Sequence, residues 1–83
     1  MTDSELKEKI RGKVIDLARA RGVKLGDIPN DALLIDAGYL DSASVIELVV
    51  WIEGLFDTEL DFDQLTRENF GSIDDIVEFM KSR

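Results

Sequence analysis

The sequence predicts an all-α protein, a small four-helix bundle with three main helices, a short third helix and a long loop between helices I and II. Apolar residues recur at helical spacing in three stretches, and helix-starting and helix-ending residues border them. No stretch of useful length alternates with the two-residue period of a strand. At 83 residues the chain corresponds to one domain, residues 1–83, with a modest core.

The first helix is predicted over about residues 3–21. Thr2 and Glu5 have the spacing of a capping box, in which each side chain bonds back across the first turn. The apolar residues that follow at helical spacing predict a buried stripe: Leu6, Ile10, Val14 and Leu17. Gly22 is well placed to end the helix. This segment is a scaffold in any functional interpretation.

A long connection follows over residues 22–40. Connections of this length in compact domains are usually functional or partly structured. Most of its apolar residues are expected to pack against the bundle: Val23, Leu25, Ile28, Leu33, Leu34, Ile35 and Leu40. A short helical turn is expected near Asp31–Ile35. Gly38 is expected to allow a tight approach just before the second helix.

The second helix begins at Asp41 or Ser42, either of which can cap it. Its core stripe is predicted at helical spacing: Val45, Leu48, Val49, Ile52, Leu55 and Phe56. A second row follows another face: Ala43, Ile46 or Glu47, Val50, and Glu53 or Gly54. An apolar row beside acids is either a docking strip for partners or a surface partly buried under the long loop. Trp51 is either an interface anchor or a rim residue of the core.

An acidic loop is predicted over residues 57–63, with Leu60 and Phe62 as its apolar anchors. Its acids alternate in a way that resembles a calcium-binding EF-hand loop: Asp57, Glu59, Asp61, Asp63 and Glu68. The sixth position of such a loop is glycine because the chain turns sharply there, and here it is Phe62. A second, paired hand is also missing. The pattern indicates weak divalent binding at most, and no metal site is assigned.

A short third helix is predicted within residues 65–70, and a last helix from Ser72 to about residue 82. Gly71 ends the former, and Ser72 can cap the latter. The last helix has its own core stripe: Ile73, Ile76, Val77 and Met80, with Phe79 beside it. Its charges suit the helix dipole, with Asp74 and Asp75 at the start and Lys81 and Arg83 at the end.

The net charge of -8 lies entirely in the second half of the chain. Residues 1–40 carry seven acids and seven bases, whereas residues 41–83 carry eleven acids and three bases. Nucleic acid and anionic membranes are therefore not expected as partners, because their phosphates attract Lys and Arg. Basic protein surfaces are the expected partners. The alternative is a solvated acidic face that aids solubility.

The chain contains no cysteine and no histidine, which excludes disulfides, thiolate metal sites and a Ser-His pair. No apolar run approaches a membrane span, and the N-terminus lacks a signal-peptide segment, so a soluble, cytoplasmic monomer is expected. A serine nucleophile needs an adjacent base, and no lysine lies between Lys24 and Lys81 in sequence. We therefore expect no enzymatic activity, and we interpret Ser42 as a substrate.

The segment Asp41-Ser42, followed by Glu47-Leu48 and Phe56-Asp57, resembles the acyl and peptidyl carrier proteins. The resemblance covers nearly the whole chain and is strongest over residues 38–60. It implies that Ser42 carries 4'-phosphopantetheine, added from coenzyme A by a phosphopantetheinyl transferase. The attached group would hold an acyl or aminoacyl cargo as a thioester and deliver it to partner enzymes of a biosynthetic pathway.

The resemblance also implies a partner-binding strip on the second helix. Asp41 matches the acidic residue before the attachment serine, and Glu47, Val50 and Glu53 match positions that contact partners. Ala43 stands where many carriers have leucine, and Gly54 stands where fatty-acid carriers often have an acid. These departures indicate that the partners differ from those of fatty-acid synthesis.

Two stretches, Gly38–Ser42 and Leu65–Ile73, are similar to D-alanyl carrier proteins and stand-alone aminoacyl carriers. Such carriers are loaded by a separate adenylating ligase, and related ones by an acyltransferase or synthase. The cargo and the pathway are not determined by the sequence. The alternative function is an unmodified acidic helical adaptor that binds a basic partner through the second helix.

Overall fold

The computed structural model of the protein describes residues 2–24 and 26–82. Those residues form four α-helices: α1 (Asp3–Ala20), α2 (Ser42–Phe56), α3 (Arg67–Phe70) and α4 (Ile73–Lys81). The predicted all-α bundle with a short third helix is confirmed. A 3-10 turn at Phe62–Gln64 precedes α3 and was not predicted. Leu25, expected to pack, and Arg83, expected to suit the end of the last helix, lie outside the described residues.

The ends of α1 follow the predicted signals with one change. The hydroxyl of Thr2 accepts the Glu5 amide at 3.2 Å, but the Glu5 carboxylate accepts from that hydroxyl rather than from the Thr2 backbone. Gly22 has a positive φ of 80° and donates its amide to Arg19 at 2.9 Å, a left-handed ending that glycine adopts readily. The chain therefore turns away directly after Arg21, which stands at the C-terminal end of α1.

The core lies where α1 packs against α2 and α4, and α3 packs against α4. The predicted stripes of α1 and α4 are buried. In α2, Leu48, Val49 and Ile52 are buried, whereas Val45, Leu55 and Phe56 are partly buried against the core. Trp51 is also partly buried against the core, which makes it a residue of the core's rim. None of the helices in the described part of the chain is long and apolar enough to cross a membrane.

The long loop packs less completely than expected. Three of its apolar side chains are buried: Ile28, Leu34 and Leu40. Leu33 and Ile35, however, are 47% and 50% exposed, so their predicted packing is wrong. The chain makes a helical turn here, closed by a 2.8 Å bond from the Ala37 amide to the Leu33 carbonyl. In such a turn, three consecutive side chains point in different directions, and only Leu34 faces the core.

Backbone hydrogen bonds hold this loop across the bundle. The Leu34 amide donates to the Gly71 carbonyl at 2.8 Å, and the Asp74 amide donates to the Asn30 carbonyl at 2.9 Å. The guanidinium of Arg11 bonds to the side chain of Asn30 and thereby links the loop to α1. The loop is thus fixed to α1 and to the start of α4, and it delivers its last residues to α2.

Glycine is required at two positions for different reasons. Gly38 has a φ of 84°, and a Cβ there would meet no atom within 4 Å, so the predicted tight approach is wrong and the conformation is the reason for glycine. A Cβ at Gly71 would clash with the carbonyl oxygen of Arg67. The close approach of backbone therefore occurs at Gly71, against the first residue of α3.

The acidic loop keeps only one of its two predicted apolar anchors. Leu60 is partly buried against the core, but Phe62 is 85% exposed, so its anchoring role is wrong. Phe62 opens the 3-10 turn, in which the Asp61 amide donates to the Gln64 side chain at 2.9 Å, and this turn directs the aromatic ring outward. Within the described residues, no three acidic side chains come together in a way that could hold a metal ion.

The last helix starts and ends as predicted. The hydroxyl of Ser72 accepts the Asp75 amide at 3.1 Å and caps α4. At the other end, the Lys81 ammonium lies 2.9 Å from the Asp3 carboxylate, and this bond is the main reason why the pKa of Lys81 is raised. The pair joins the end of α4 to the start of α1.

Candidate functional site

The start of α2 is capped by Asp41. Its backbone is extended, and its Oδ1 accepts the Ser44 amide at 2.8 Å, which satisfies one of the free amides of the first turn. Of the two caps that the sequence allowed, the structure therefore selects Asp41. Ser42 becomes the first helical residue, and its hydroxyl is not needed as the cap.

Two serines stand in the first turn and have opposite environments. Ser42 is exposed, whereas Ser44 is 5% exposed. Residues two positions apart on an α-helix point about 200° apart, so one of the pair faces solvent when the other faces the core. Ser44 was not among the predicted site residues, and its burial leaves Ser42 as the accessible hydroxyl of this turn.

Hydrogen bonds lower the pKa of Asp41. The largest cause is the bond from the Ser44 backbone amide, followed by the bond from the Ser44 hydroxyl, and the charge of Arg21 contributes less. A negatively charged cap suits the positive end of the helix dipole. Asp41 is therefore a carboxylate occupied in holding α2.

Arg21 is a site residue that the sequence argument missed. Its Nε lies 3.2 Å from Oδ2 of Asp41, and its Nη1 donates to the Tyr39 carbonyl at 3.2 Å. The contacts join residues about twenty positions apart, so no local pattern reveals them. The available signal was Gly22, which ends α1 and places a cation at that end.

The second row of α2 is open to solvent. Ala43, Ile46, Glu47 and Val50 are exposed, with Ile46 at 52% and Val50 at 60%. The long loop therefore does not cover this row, and the alternative of burial is wrong. These four residues form an apolar and acidic surface that starts beside Ser42, which we call the α2 strip.

Glu53 differs from the α2 strip. It is partly buried, and its Oε2 accepts the Leu60 amide at 2.9 Å. Its carboxylate thus anchors the acidic loop, a structural role that the sequence argument did not identify. Gly54, on the same turn, is exposed.

An apolar groove of about 310 Å³ lies beside the first turn of α2. Val45 forms one wall, Leu33 and Ile35 of the long loop form another, and Leu65 and Phe70 close it from the α3 side. Leu33 and Ile35, which were expected to pack against the bundle, are therefore walls of this groove. No sequence pattern predicts this groove, because it arises from the way the loop meets α3.

The site offers an accessible hydroxyl without the means to activate it. The neighbouring cation, Arg21, is a guanidinium, a group that donates hydrogen bonds and does not serve as a base. The neighbouring carboxylate, Asp41, is occupied by hydrogen bonds from Ser44. The chain has no histidine. This arrangement suits a serine that another enzyme modifies, and a phosphate attached there would meet the positive end of α2.

Comparison with known proteins gives two findings. A family model described as phosphopantetheine attachment site matches residues 8–80. A D-alanyl carrier protein of Streptococcus uberis is 39% identical over 51 residues, which make up 61% of this chain. The match spans 65% of the length of that relative.

Proposed function

The chain belongs to the phosphopantetheine attachment family, and we propose that it takes the group on Ser42 and works as a carrier protein. In this proposal, 4'-phosphopantetheine supplies a thiol that holds an acyl or aminoacyl group as a thioester. The chain itself catalyses nothing, since Ser42 is the substrate of a phosphopantetheinyl transferase. Partner enzymes then load the cargo and take it away.

The exposure of Ser42 is the observation that carries the proposal. The family match covers residues 8–80, which contain three serines: Ser42, Ser44 and Ser72. Ser44 and Ser72 are 5% and 3% exposed, and Ser72 is the cap of α4. A transferase must reach the hydroxyl that it modifies, and of the three only Ser42 is open to solvent.

The residues around Ser42 fit the group. The hydroxyl stands on the first turn of a helix that Asp41 caps, so its backbone is held in place while the side chain is free. The positive end of α2 favours a phosphate by about 0.3–1 kcal/mol at an exposed position. Neither cysteine nor a general base is required of the chain.

The α2 strip is the proposed docking surface for partners. Glu47 would meet basic residues of the transferase and of the loading enzymes, and Val50 and Ala43 would supply apolar contact beside Ser42. Charged surface contacts mainly raise the association rate, which suits a carrier that meets several enzymes in turn. Glu53 lies outside the α2 strip, and its carboxylate already accepts the Leu60 amide. We propose that it contributes to partner docking through its negative charge alone.

For loading, we propose a separate adenylating ligase, with an aminoacyl cargo. The relative from Streptococcus uberis is a D-alanyl carrier protein, which favours D-alanine among aminoacyl cargoes. Loading by an acyltransferase or synthase is the alternative. The two loading routes are tested separately. The modified protein is incubated with ATP, an adenylating D-alanine ligase and either D- or L-alanine, and its mass is measured. A mass gain with D-alanine alone supports the assignment, and no gain with either amino acid contradicts it.

Modification is tested by intact mass spectrometry after incubation with coenzyme A, Mg²⁺ and a broad-specificity phosphopantetheinyl transferase. The wild-type protein should gain the mass of one phosphopantetheine group, and Ser42→Ala should gain none. Ser4→Ala is the matched control, because Ser4 is also an exposed serine in the first turn of a helix. An unchanged wild-type mass, or an equal gain in Ser42→Ala, would contradict the proposal.

A further inference from the structure

We propose that Arg21 is a positioning residue for the modification of Ser42. Its guanidinium ties the segment Tyr39–Asp41 to the end of α1 and so fixes the direction in which the serine is presented. This inference rests on the proposed function, because it assigns Arg21 a part in the same transfer reaction.

The guanidinium of Arg21 contacts the residues on both sides of Leu40, which is buried. Arg21 reaches the Tyr39 carbonyl through Nη1 and the Asp41 carboxylate through Nε, each at 3.2 Å. Leu40, between these acceptors, is 2% exposed and packs in the core. The segment is therefore held at three consecutive residues, twice by one side chain and once by burial.

The contacts of Arg21 extend through Asp41 into α2. Asp41 receives Arg21 on Oδ2 and the Ser44 amide on Oδ1. One carboxylate thus connects the end of α1 with the first turn of α2, in which Ser42 is the first residue. The orientation of the Ser42 backbone follows from both contacts, because Asp41 precedes it directly.

An arginine is suited to this task in a way that a lysine is not. The planar guanidinium presents several N–H donors in a fixed arrangement, so that two acceptors can be held at once. The side chains of Arg21 and Asp41 are 34% and 51% exposed, and ion pairs this open to solvent add little to stability. The expected contribution of Arg21 is therefore to the order of the segment rather than to the stability of the bundle.

The transfer reaction requires that order. The Ser42 hydroxyl loses its proton to a base of the transferase, and its oxygen forms a bond to the coenzyme A phosphorus that bears pantetheine. The bond from that phosphorus to the bridging oxygen breaks, and adenosine 3',5'-bisphosphate leaves with the electron pair. A serine whose direction is already fixed loses less conformational freedom when the transferase binds it.

The test compares Arg21→Gln with Arg19→Gln in the transferase reaction. Both variants remove one positive charge from the C-terminal end of α1, where Arg19 lies in the last turn and is exposed and Arg21 is the C-cap. For Arg21→Gln, the KM for the carrier should rise about three- to tenfold with kcat unchanged, as expected for the loss of one or two hydrogen bonds that order the substrate. Arg21→Lys should recover part of the loss, and Arg19→Gln should match the wild-type protein.

A second readout does not depend on activity. Backbone order parameters from ¹⁵N relaxation should fall at residues 39–42 in Arg21→Gln and stay unchanged in Arg19→Gln. Circular dichroism melts identify variants that remain folded at the assay temperature, and Arg21→Lys replaces Arg21→Gln if the latter does not fold.

The possible failures are distinguishable. If the wild-type protein is not modified, the proposed function is wrong and the inference falls with it. If the wild-type protein is modified but Arg21→Gln and Arg21→Lys keep the wild-type KM and order parameters, the inference alone is wrong. An equal rise in KM for Arg19→Gln would also overturn it, since general charge would then be the cause.

Discussion

At the scale of single residues, three neighbouring side chains at the start of α2 have different roles and environments. Asp41 accepts the Ser44 amide and caps the helix, Ser44 is buried, and Ser42 stays open to solvent. Arg21 joins this group from the end of α1. An accessible hydroxyl on a held backbone follows from this arrangement, and so does the proposal that Ser42 is modified.

The pH dependence of the cap is a first prediction. Hydrogen bonds lower the pKa of Asp41 in the folded protein below the unfolded value of about 3.9. The stabilisation by Asp41 is therefore fully present above about pH 4 and is lost as the pH falls through the lowered pKa. The difference in melting temperature between the wild-type protein and Asp41→Asn should shrink over that acidic range. A difference that stays constant from neutral to strongly acidic pH would contradict this account.

The sequence sufficed to identify Asp41 and Ser42 as the start of the second helix, because helix starts have local signals. It did not decide which of them is the cap, since both residue types serve. Arg21 could not be found, because its contacts with Tyr39 and Asp41 exist only after α1 and the long loop have packed together.

At the scale of elements, the long loop and α2 together build the surroundings of Ser42. The loop buries Ile28, Leu34 and Leu40, and it leaves Leu33 and Ile35 as walls of the groove beside α2. Helix α2 buries one face and leaves the α2 strip exposed. The loop is therefore a structural element that positions the site, although it has no regular secondary structure over most of its length.

A matched pair of truncations tests this role of the loop. Leu34 is 1% exposed and Leu33 is 47% exposed, although they are adjacent. Leu34→Ala should lower the free energy of unfolding by about 2–5 kcal/mol, because it leaves a cavity in the core. Leu33→Ala should cost less than about 1 kcal/mol. Urea unfolding measures both, and equal losses would show that the loop does not pack as described.

Charge reversal on the α2 strip tests partner docking. Glu47→Lys should lower kcat/KM in the transferase reaction about tenfold or more, because a rim charge mainly sets the association rate. Glu68→Lys is the matched control, since Glu68 is an exposed acid that belongs to α3 and not to α2. The loss in Glu47→Lys should diminish at high salt. Equal losses in both variants would indicate general charge steering instead of docking at α2.

Periodicity in the sequence predicted the three main helices and their buried faces, because core packing imposes a repeat on the residues. It did not predict the exposure of Leu33, Ile35 and Phe62. These side chains sit in irregular turns, where direction depends on hydrogen bonds such as that between Asp61 and Gln64. The groove was missed for the same reason.

At the scale of the whole molecule, charge is divided between a balanced half and an acidic half. Ion pairs cross this division: Lys7 with Asp74, Arg21 with Asp41, and Lys81 with Asp3. Ion pairs this open to solvent contribute little to stability. The eleven acids of residues 41–83 face only three bases of that half, so repulsion persists there.

Ionic strength should therefore stabilise the fold. Salt weakens the crossing ion pairs, but it also screens repulsion among the acids, and the net charge of -8 makes the second effect larger. The melting temperature should rise as sodium chloride is increased from low to moderate concentration, and Mg²⁺ should act at lower concentration. A melting temperature that falls or does not change with salt would contradict this balance.

The most direct test of the central claim is to locate the modification in the unmutated protein. Trypsin has no site between Lys24 and Arg67, so one peptide contains both Ser42 and Ser44. Fragmentation of that peptide by mass spectrometry, after reaction with coenzyme A and transferase, separates the two serines at Ala43. The account predicts phosphopantetheine on Ser42 alone. Its presence on Ser44 or elsewhere, or its absence from the protein, would contradict the account.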